Sequence, residues 1–223
     1  MNSLAFVFDM DGVIVDTNPY HKIALRQFAE KYGYSLSEEE LVKRIYGRTN
    51  KEWIPNLFGR VLTAAEVRGY GEEKEQLFRN LYEKDIREVK GLSAFLEQAR
   101  CQHISMAIGT SAPRSNVDFV LKHTGIEKYF SVILDESHVT RGKPDPEIYI
   151  NCAAALKLPT ARCIVFEDSL SGVAAGVAAG SPVVGIATTH SAVELDTKIT
   201  MTDFTELTPG KIVNEFFSAN PRQ

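Results

Sequence analysis

A short apolar run that stops on two aspartates constrains the fold of this chain more than any other feature. Residues 4–8 read Leu-Ala-Phe-Val-Phe, Asp9 follows at once, and Asp11 comes two residues later. Such a run is typical of a strand buried on both faces of a sheet, and Gly12 permits a sharp exit from it. Burying unpartnered charge is costly, whereas open α/β sheets bind ligands at the carboxyl ends of central strands. The segment therefore predicts a functional site at a strand end, although the motif alone would also suit an ordinary polar turn.

A second acidic pair repeats this pattern far along the chain. Residues 163–166 are apolar, and Glu167 and Asp168 follow them. If the two strands are neighbours in one parallel sheet, both pairs converge at one edge; otherwise they lie on unrelated loops. Two carboxylates about 4 Å apart repel each other by roughly 4 kcal/mol at an effective dielectric constant of about 20, and oxygen ligands with incomplete protein coordination favour Mg²⁺. The predicted ligands of a Mg²⁺ ion are Asp9, Asp11, Glu167 and Asp168.

The predicted secondary-structure pattern changes at Gly91. Residues 18–87 carry apolar positions at helical spacing and no convincing strand, and Thr63 and Glu66 have the spacing of a capping box. Beyond Gly91, apolar runs alternate with helical segments, which is typical of right-handed βαβ units and a parallel sheet. The predicted strands are 4–8, 104–108, 131–134, 163–166 and 183–186, and the predicted helices include 20–33, 38–46, 92–101, 113–123, 146–157 and 170–179.

These patterns predict an α/β fold made of two parts. A Rossmann-like parallel-sheet core comprises residues 1–16 and 89–223, because the apolar strand at 4–8 has no partner strand within the helical segment. An inserted α-helical cap comprises residues 17–88. Within the cap, the helix that begins after the capping box is expected to be weakened by Gly69 and Gly71 and to continue to Ile86.

Composition and charge exclude several kinds of partner. The 223 residues have a formal net charge of −4 and no long basic run, which argues against binding of nucleic acid. The three cysteines show no C-x-x-C spacing, which favours reduced thiols. No apolar segment is long enough to span a bilayer, and the N-terminus lacks the basic start of a signal peptide. We therefore expect a cytoplasmic monomer with no membrane partner.

Four motifs together resemble the haloacid-dehalogenase-like phosphatase superfamily, and within it the β-phosphoglucomutase-like proteins with a helical cap. The motifs are Phe8–Val13, Gly109–Ser111, Gly142–Pro146 and Phe166–Ser169. They occur in the order and spacing of that family and span nearly the whole chain. The resemblance implies a Mg²⁺-dependent enzyme that acts on a small phosphorylated substrate through an aspartyl-phosphate intermediate.

The resemblance also assigns roles to residues of the core. Asp9 is the nucleophile, and Asp11 donates a proton to the leaving group and later accepts one from water. Ser111 stands where a helix N-cap is expected, so the Thr110 hydroxyl and the N–H groups at that helix start would cradle phosphoryl oxygens. Lys143 would offset negative charge on the nucleophile and on the phosphoryl group. Taken alone, Thr110 and Ser111 could equally form a plain helix cap, and Lys143 would be read as a solvated surface lysine.

In the cap, the resemblance implies substrate contacts from His21 and from the loop formed by Gly47, Arg48 and Thr49. A solvated histidine at a helix start is the alternative for His21. The mutases of the family place a lysine before the loop glycine and an arginine shortly after it, where this chain has Tyr46 and Asn50. A mutase must bind the distal phosphate of a sugar bisphosphate, and without those cations that binding is weaker. The sequence therefore favours a phosphatase over a phosphoglucomutase. A non-catalytic metabolite-binding domain is the third hypothesis.

Overall fold

The computed structural model describes residues 4–37, 39–41 and 50–218. Its contacts divide the chain into two compact units, Met1–Asp16 with Ile86–Gln223, and Thr17–Asp85. We call the first the sheet unit and the second the helical unit. Residues 86–88, which the sequence pattern assigned to the cap, fall in the sheet unit.

Within the described residues, the sheet unit contains six parallel strands in the order β3-β2-β1-β4-β5-β6. The predicted α/β class with a parallel sheet is confirmed, and the two strands that end in acidic pairs are neighbours, as expected. The sixth strand was not predicted, because its sequence Ile-Thr-Met is interrupted by a polar residue and shows no continuous apolar run. The strands are β1 Ala5–Phe8, β2 Ser105–Gly109, β3 Val132–Leu134, β4 Cys163–Glu167, β5 Val183–Ile186 and β6 Ile199–Met201.

The helices whose full extent lies in the described residues surround the sheet or form the helical unit. The helical unit contains α1 Asn18–Lys31, α2 Asn50–Phe58 and α3 Ala64–Tyr82. The sheet unit contains α4 Leu92–Cys101, α5 Arg114–Thr124, α6 Glu147–Ala155, α7 Leu170–Ala178, α8 Ala192–Leu195 and α9 Pro209–Phe217. The predicted helix 38–46 lies mostly outside the described residues. No helix within those residues combines the length and the hydropathy needed to cross a lipid bilayer.

Strand β1 is buried on both faces, which explains its nearly continuous apolar sequence. Side chains alternate along a strand, so Phe6 and Phe8 point to one face and Ala5 and Val7 to the other. The first pair packs among the aromatic rings of Phe95, Phe166 and Phe204, at centroid distances of 4.6–6.4 Å. The second pair packs among apolar residues that include Ala107, Ile148, Tyr149, Cys152 and Val165.

The helical unit has its own core and begins α3 as the sequence predicts. Thr63 Oγ1 accepts a hydrogen bond from the Glu66 N–H at 3.2 Å, and Glu66 Oε2 accepts one from the Thr63 N–H at 2.8 Å, so the capping box is confirmed. Helix α3 runs through the two predicted weak points at Gly69 and Gly71, but it ends at Tyr82 rather than at 86. The buried core residues of this unit are Leu25, Phe28, Ala29, Leu41, Trp53, Ile54 and Leu57.

Candidate active site

The acidic pairs meet where the strand order of the sheet reverses. From β1, the chain continues to β2 on one side, whereas β4 and β5 lie on the other. In open α/β sheets, the crevice beyond such a switch point is the usual binding site. Phe8 lies opposite Phe166 in the β1–β4 ladder, and the Asp9 N–H donates to the Phe166 carbonyl at 3.0 Å. The parallel register therefore brings Asp9 next to the end of β4.

Three of the four predicted ligands form one buried cluster. One oxygen from each of Asp9, Glu167 and Asp168 lies within 4.8 Å of the others, and the residues are 7%, 0% and 2% exposed. Asp11 does not join this cluster within the described residues. The chain turns sharply after Met10, with Gly12 at φ +82° and its N–H donating to the Val15 carbonyl at 2.7 Å. This turn leaves Asp11 partly exposed beside the cluster.

Lys143 reaches the cluster, as the resemblance implies. Its Nζ atom lies 2.8 Å from Asp9 Oδ1 and 2.6 Å from Glu167 Oε1, and its side chain is only 7% exposed. Burial alone would lower the pKa of Lys143, but the two carboxylates together raise it above its usual value. The ammonium therefore stays charged, and it faces three carboxylates.

Burial, together with neighbouring carboxylates, raises the pKa of two of these carboxyl groups. Burial, reinforced by Glu167 and Asp11 and opposed by Lys143, raises the pKa of Asp9 to about 7. Burial, reinforced by Glu167 and Asp9, raises the pKa of Asp168 to about 8. Both shifts mean that ionised oxygens here lack sufficient positive charge. A hard divalent cation would supply it, and carboxylate oxygens are the ligands that such a cation prefers, so the donor set fits Mg²⁺.

Glu167 differs from its two neighbours because its oxygens are already fully occupied. Oε1 accepts from Lys143 at 2.6 Å and from the Tyr149 hydroxyl at 2.5 Å. Oε2 accepts from the N–H groups of Asp168 and Ser169 and from the Ser169 hydroxyl at 3.1–3.2 Å. A carboxylate offers about four lone-pair sites. In this arrangement Glu167 anchors its neighbours, and Asp9 and Asp168 are the better candidates for direct contact with an ion.

The loop after β5 also contacts the cluster, and sequence reasoning missed it. The Thr189 hydroxyl donates to Asp168 Oδ2, and His190 Nδ1 lies 3.1 Å from the Asp168 carbonyl oxygen. The Thr188 hydroxyl donates to the Gly12 carbonyl at 2.5 Å. Two threonines directly after a predicted parallel strand were the available signal, since the strand ends share one edge of the sheet.

Two glycines make room for the cluster. A Cβ atom at Gly12 would overlap the carboxylate of Asp168, and one at Gly172 would overlap the carboxylate of Glu167. Gly172 lies in the first turn of α7, where its N–H donates to the Ser169 hydroxyl at 3.0 Å. Helix α7 can therefore begin directly against the acidic residues.

The Thr110 region lies at the neighbouring strand end, but its helix starts later than predicted. Thr110 follows β2, is buried, and its hydroxyl oxygen accepts from the Ala112 N–H at 3.1 Å. Helix α5 begins at Arg114 with Pro113 in the N-cap position and no side-chain cap, so the prediction that Ser111 caps the helix is wrong. The Ala112 N–H donates to the Thr110 hydroxyl oxygen instead, and Ser111 is exposed.

The predicted substrate contacts of the helical unit are only partly described. His21 Nδ1 lies 2.8 Å from Lys74 Nζ, and its ring stacks on Phe78 at a centroid distance of 3.8 Å. His21 is therefore held by neighbouring side chains and is not simply solvated. The loop of Gly47, Arg48 and Thr49 lies outside the described residues, so its role in substrate recognition stays a prediction.

Known proteins share both the sequence and the fold of this chain. The sequence profile described as haloacid dehalogenase-like hydrolase matches residues 6–186. A phosphorylated carbohydrates phosphatase from Thermotoga maritima is 36% identical over 180 residues, which cover 79% of this chain and 81% of that protein.

Two solved structures support the same relationship. A HAD hydrolase of family IA, variant 3, from Entamoeba histolytica is 30% identical, has a TM-score of 0.88, and aligns over 96% of this chain and 99% of its own. A β-phosphoglucomutase from Clostridium difficile is 26% identical, with a TM-score of 0.82 and coverage of 96% and 97%. The profile match spans most of the chain and includes the strand that carries Asp9. This chain therefore belongs to the haloacid dehalogenase-like hydrolase family.

Proposed function

We propose that this protein is a Mg²⁺-dependent phosphatase that hydrolyses small phosphorylated metabolites, with sugar phosphates as the main class, through an aspartyl-phosphate on Asp9. The observation that carries this proposal is the buried group of Asp9, Asp168 and Lys143 at the switch point of the sheet. The choice of substrate class is supported by the Thermotoga maritima relative, which is named for phosphorylated carbohydrates.

Asp9 and Asp168 would hold the ion. Burial raises their pKa values to about 7 and about 8, so additional positive charge nearby would favour their ionised forms. When bound, Mg²⁺ supplies charge that offsets the phosphoryl oxygens. Glu167 contributes indirectly, because its five hydrogen bonds fix Lys143 and the backbone at Asp168 and Ser169.

The first chemical step belongs to Asp9. A carboxylate oxygen of Asp9 forms a bond to phosphorus while the bond from phosphorus to the leaving oxygen breaks. Lys143, 2.8 Å from Asp9 Oδ1, favours the ionised carboxylate and offsets charge on the transferred group. Thr110 and the exposed residue Ser111 lie at the end of the strand next to β1 and would bind phosphoryl oxygens.

Asp11 would transfer the protons. It would protonate the departing alkoxide, and then take a proton from the water that hydrolyses the aspartyl-phosphate. A position beside the three-carboxylate cluster suits this role, because a group clamped by a metal ion cannot exchange protons freely. The turn that carries Asp11 is fixed by the Thr188 hydroxyl on the Gly12 carbonyl and by the Val89 N–H on the Ile14 carbonyl at 2.8 Å.

A phosphate-release assay on a panel of sugar phosphates, with Mg²⁺ or with EDTA, tests the proposal. We expect release that requires Mg²⁺, and a loss of at least about 10³-fold in Asp9→Asn, because the nucleophile is removed. Asp118→Asn, which neutralises an exposed carboxylate on α5, is the matched control and should keep wild-type turnover. Wild-type turnover by Asp9→Asn would contradict the mechanism. No release by the wild-type protein on any substrate would favour the metabolite-binding domain.

A phosphoglucomutase is the second candidate, and the likeness to the Clostridium difficile mutase favours it. Against it stands Asn50, which replaces a cation of the mutases. Its Oδ1 atom accepts from Trp53 Nε1 at 2.7 Å, so its polar group is engaged inside the helical unit. Incubation with β-glucose 1-phosphate and a sugar bisphosphate decides between the two: accumulation of the 6-phosphate would support a mutase, and free phosphate alone would reject it.

A further inference from the structure

Tyr149 is a buried tyrosine that touches the cluster but belongs to no motif that the sequence singled out. It lies on α6 and is 1% exposed. Its hydroxyl donates to Glu167 Oε1 at 2.5 Å, and Lys143 Nζ lies 5.0 Å from the centroid of its ring. We propose that Tyr149 is a positioning residue that acts through Glu167 to hold Lys143 on Asp9. This inference rests on the proposed function only where it predicts a change in kcat; the predicted change in Mg²⁺ binding does not depend on it.

The contacts of Lys143 show why a second donor on Glu167 matters. The ammonium bridges two carboxylates, with Glu167 Oε1 at 2.6 Å and Asp9 Oδ1 at 2.8 Å. Both carboxylates compete for the same positive charge. The Tyr149 hydroxyl donates to the oxygen of Glu167 that Lys143 also contacts, and it weakens the pull of that oxygen on the ammonium. More of the Lys143 charge is thereby available to Asp9.

The ring of Tyr149 contributes separately from its hydroxyl. An aromatic face near an ammonium attracts it and limits the positions it can adopt. The ring also packs into the apolar cluster around α6, which includes Ile148 and Cys152. A phenylalanine would satisfy that packing equally well, so packing alone does not explain a buried hydroxyl at this position.

The hydroxyl of Tyr149 remains a donor under all working conditions. Burial, reinforced by the charge of Glu167, raises its pKa well above the usual value. It therefore does not compete as an anion for Lys143, and its one proton is directed at Glu167. Glu167 Oε1 therefore accepts from a neutral donor, the Tyr149 hydroxyl, and from a charged donor, Lys143, which is shared with Asp9.

Tyr149→Phe separates positioning from packing, because it keeps the ring and removes only the hydroxyl. Lys143 then shifts toward Glu167 and away from Asp9, so we expect kcat to fall about 10-fold while KM stays within about two-fold. Asp9 then has less of the Lys143 charge beside it and presents more negative charge to the ion site, so the Kd for Mg²⁺ should fall about three-fold. A general loosening of the site would instead weaken Mg²⁺ binding.

The experiment combines steady-state kinetics at saturating Mg²⁺ with calorimetric titration of Mg²⁺ into the substrate-free protein. Tyr82→Phe removes a buried tyrosine hydroxyl in the helical unit and is the matched control, with kcat and Kd expected at wild-type values. Lower kcat together with a lower Kd for Mg²⁺ supports the proposal. Unchanged kcat and Kd, or a raised Kd that accompanies a lower melting temperature, overturns it.

The two proposals fail in different ways. If the wild-type protein releases no phosphate but Tyr149→Phe still binds Mg²⁺ more tightly than Tyr82→Phe does, the proposed function fails and the positioning role stands. If the wild-type protein is an active Mg²⁺-dependent phosphatase and Tyr149→Phe matches it in both measurements, the positioning role fails and the proposed function stands.

Discussion

The two units of this protein both bury charged side chains, but they balance the charge differently. In the sheet unit, Lys143 lies against a cluster of three buried carboxylates, and burial, reinforced by the charge of Glu167, raises the pKa values of Asp9 and Asp168. In the helical unit, Lys74 Nζ lies 2.9 Å from Glu75 Oε1 and 2.8 Å from His21 Nδ1, so one ammonium has one carboxylate and one imidazole. Lys74 and Glu75 are both buried.

The difference teaches which buried charges serve folding and which serve function. Removing one partner of a buried ion pair leaves an uncompensated buried charge, which is strongly destabilising. An unmatched excess of carboxylates lowers stability until a cation arrives, and proteins retain such excess at functional sites. We therefore interpret the Lys74–Glu75 pair as structural and the Asp9–Glu167–Asp168 cluster as a site prepared for an ion.

The largest expected effect on stability concerns the matched pair. Glu75→Gln leaves the buried Lys74 ammonium without its carboxylate, so the free energy of unfolding should fall by about 3–5 kcal/mol. Urea denaturation in EDTA measures this change. Asp118→Asn, which breaks an exposed pair with Arg114, should alter the same quantity by less than about 1 kcal/mol. A similarly small loss in Glu75→Gln would remove the contrast between the two clusters.

Neutralising a carboxylate of the Asp9–Glu167–Asp168 cluster should raise the free energy of unfolding rather than lower it. Burial raises the pKa of Asp168 to about 8 from 3.8, so between these values the folded metal-free protein binds more protons than the unfolded chain. The contribution of this group to stability therefore falls as the pH rises through that window. We expect Asp168→Asn to raise the free energy of unfolding by about 1–2 kcal/mol at about pH 9 and by less at about pH 5.

Denaturation of wild-type protein and Asp168→Asn in EDTA at both pH values checks this expectation. Added Mg²⁺ should then stabilise the wild-type protein and leave Asp168→Asn unchanged, because a ligand stabilises only the state that binds it. If Asp168→Asn were less stable than the wild-type protein at high pH, the negative charge of the cluster would already be compensated within the protein.

The smallest effect concerns a local signal in the helical unit. Thr63→Ala removes the side-chain acceptor of the capping box, so the free energy of unfolding should fall by about 1 kcal/mol. Thr63→Ser retains the hydroxyl and should stay near the wild-type value. Thermal or urea unfolding measures both variants, and phosphate release should be the same in both. A loss in turnover with Thr63→Ala would show that the helical unit is less self-contained than its internal pairing indicates.

The parallel sheet and the start of α3 could be predicted because their signals are local. A strand buried on both faces needs a continuous apolar run, and a capping box needs Thr63 and Glu66 three residues apart. Strand β6 and helix α9 were not predicted; β6 lacks a continuous apolar run, since Thr200 lies between Ile199 and Met201. The N-cap of α5 was also predicted wrongly. The Ala112 N–H donates to the Thr110 hydroxyl oxygen, and Ser111 lies outside the helix.

The site itself was predicted in part for the same reason. Asp9 and Asp168 could be predicted because they are carboxylates that follow apolar runs, and Lys143 was assigned through the family resemblance. Tyr149 and Thr189 carried no comparable signal, because a tyrosine in a helix and a threonine after a strand are ordinary residues. Their hydrogen bonds to Glu167 and Asp168 depend on helices and loops that meet only after the strands have paired.

The sequence by itself determined the periodicity of each element and the presence of acidic residues at two strand ends, because steric and hydrophobic preferences act over a few residues. Only the tertiary structure decided that Glu167 is saturated by hydrogen bonds, that Asp11 stands outside the cluster, and that Lys143 bridges Asp9 and Glu167. Those outcomes depend on strand order and on tertiary packing, and the Lys143–Asp9 contact joins residues 134 positions apart. No local preference specifies such contacts, since they are selected by the free energy of the whole fold.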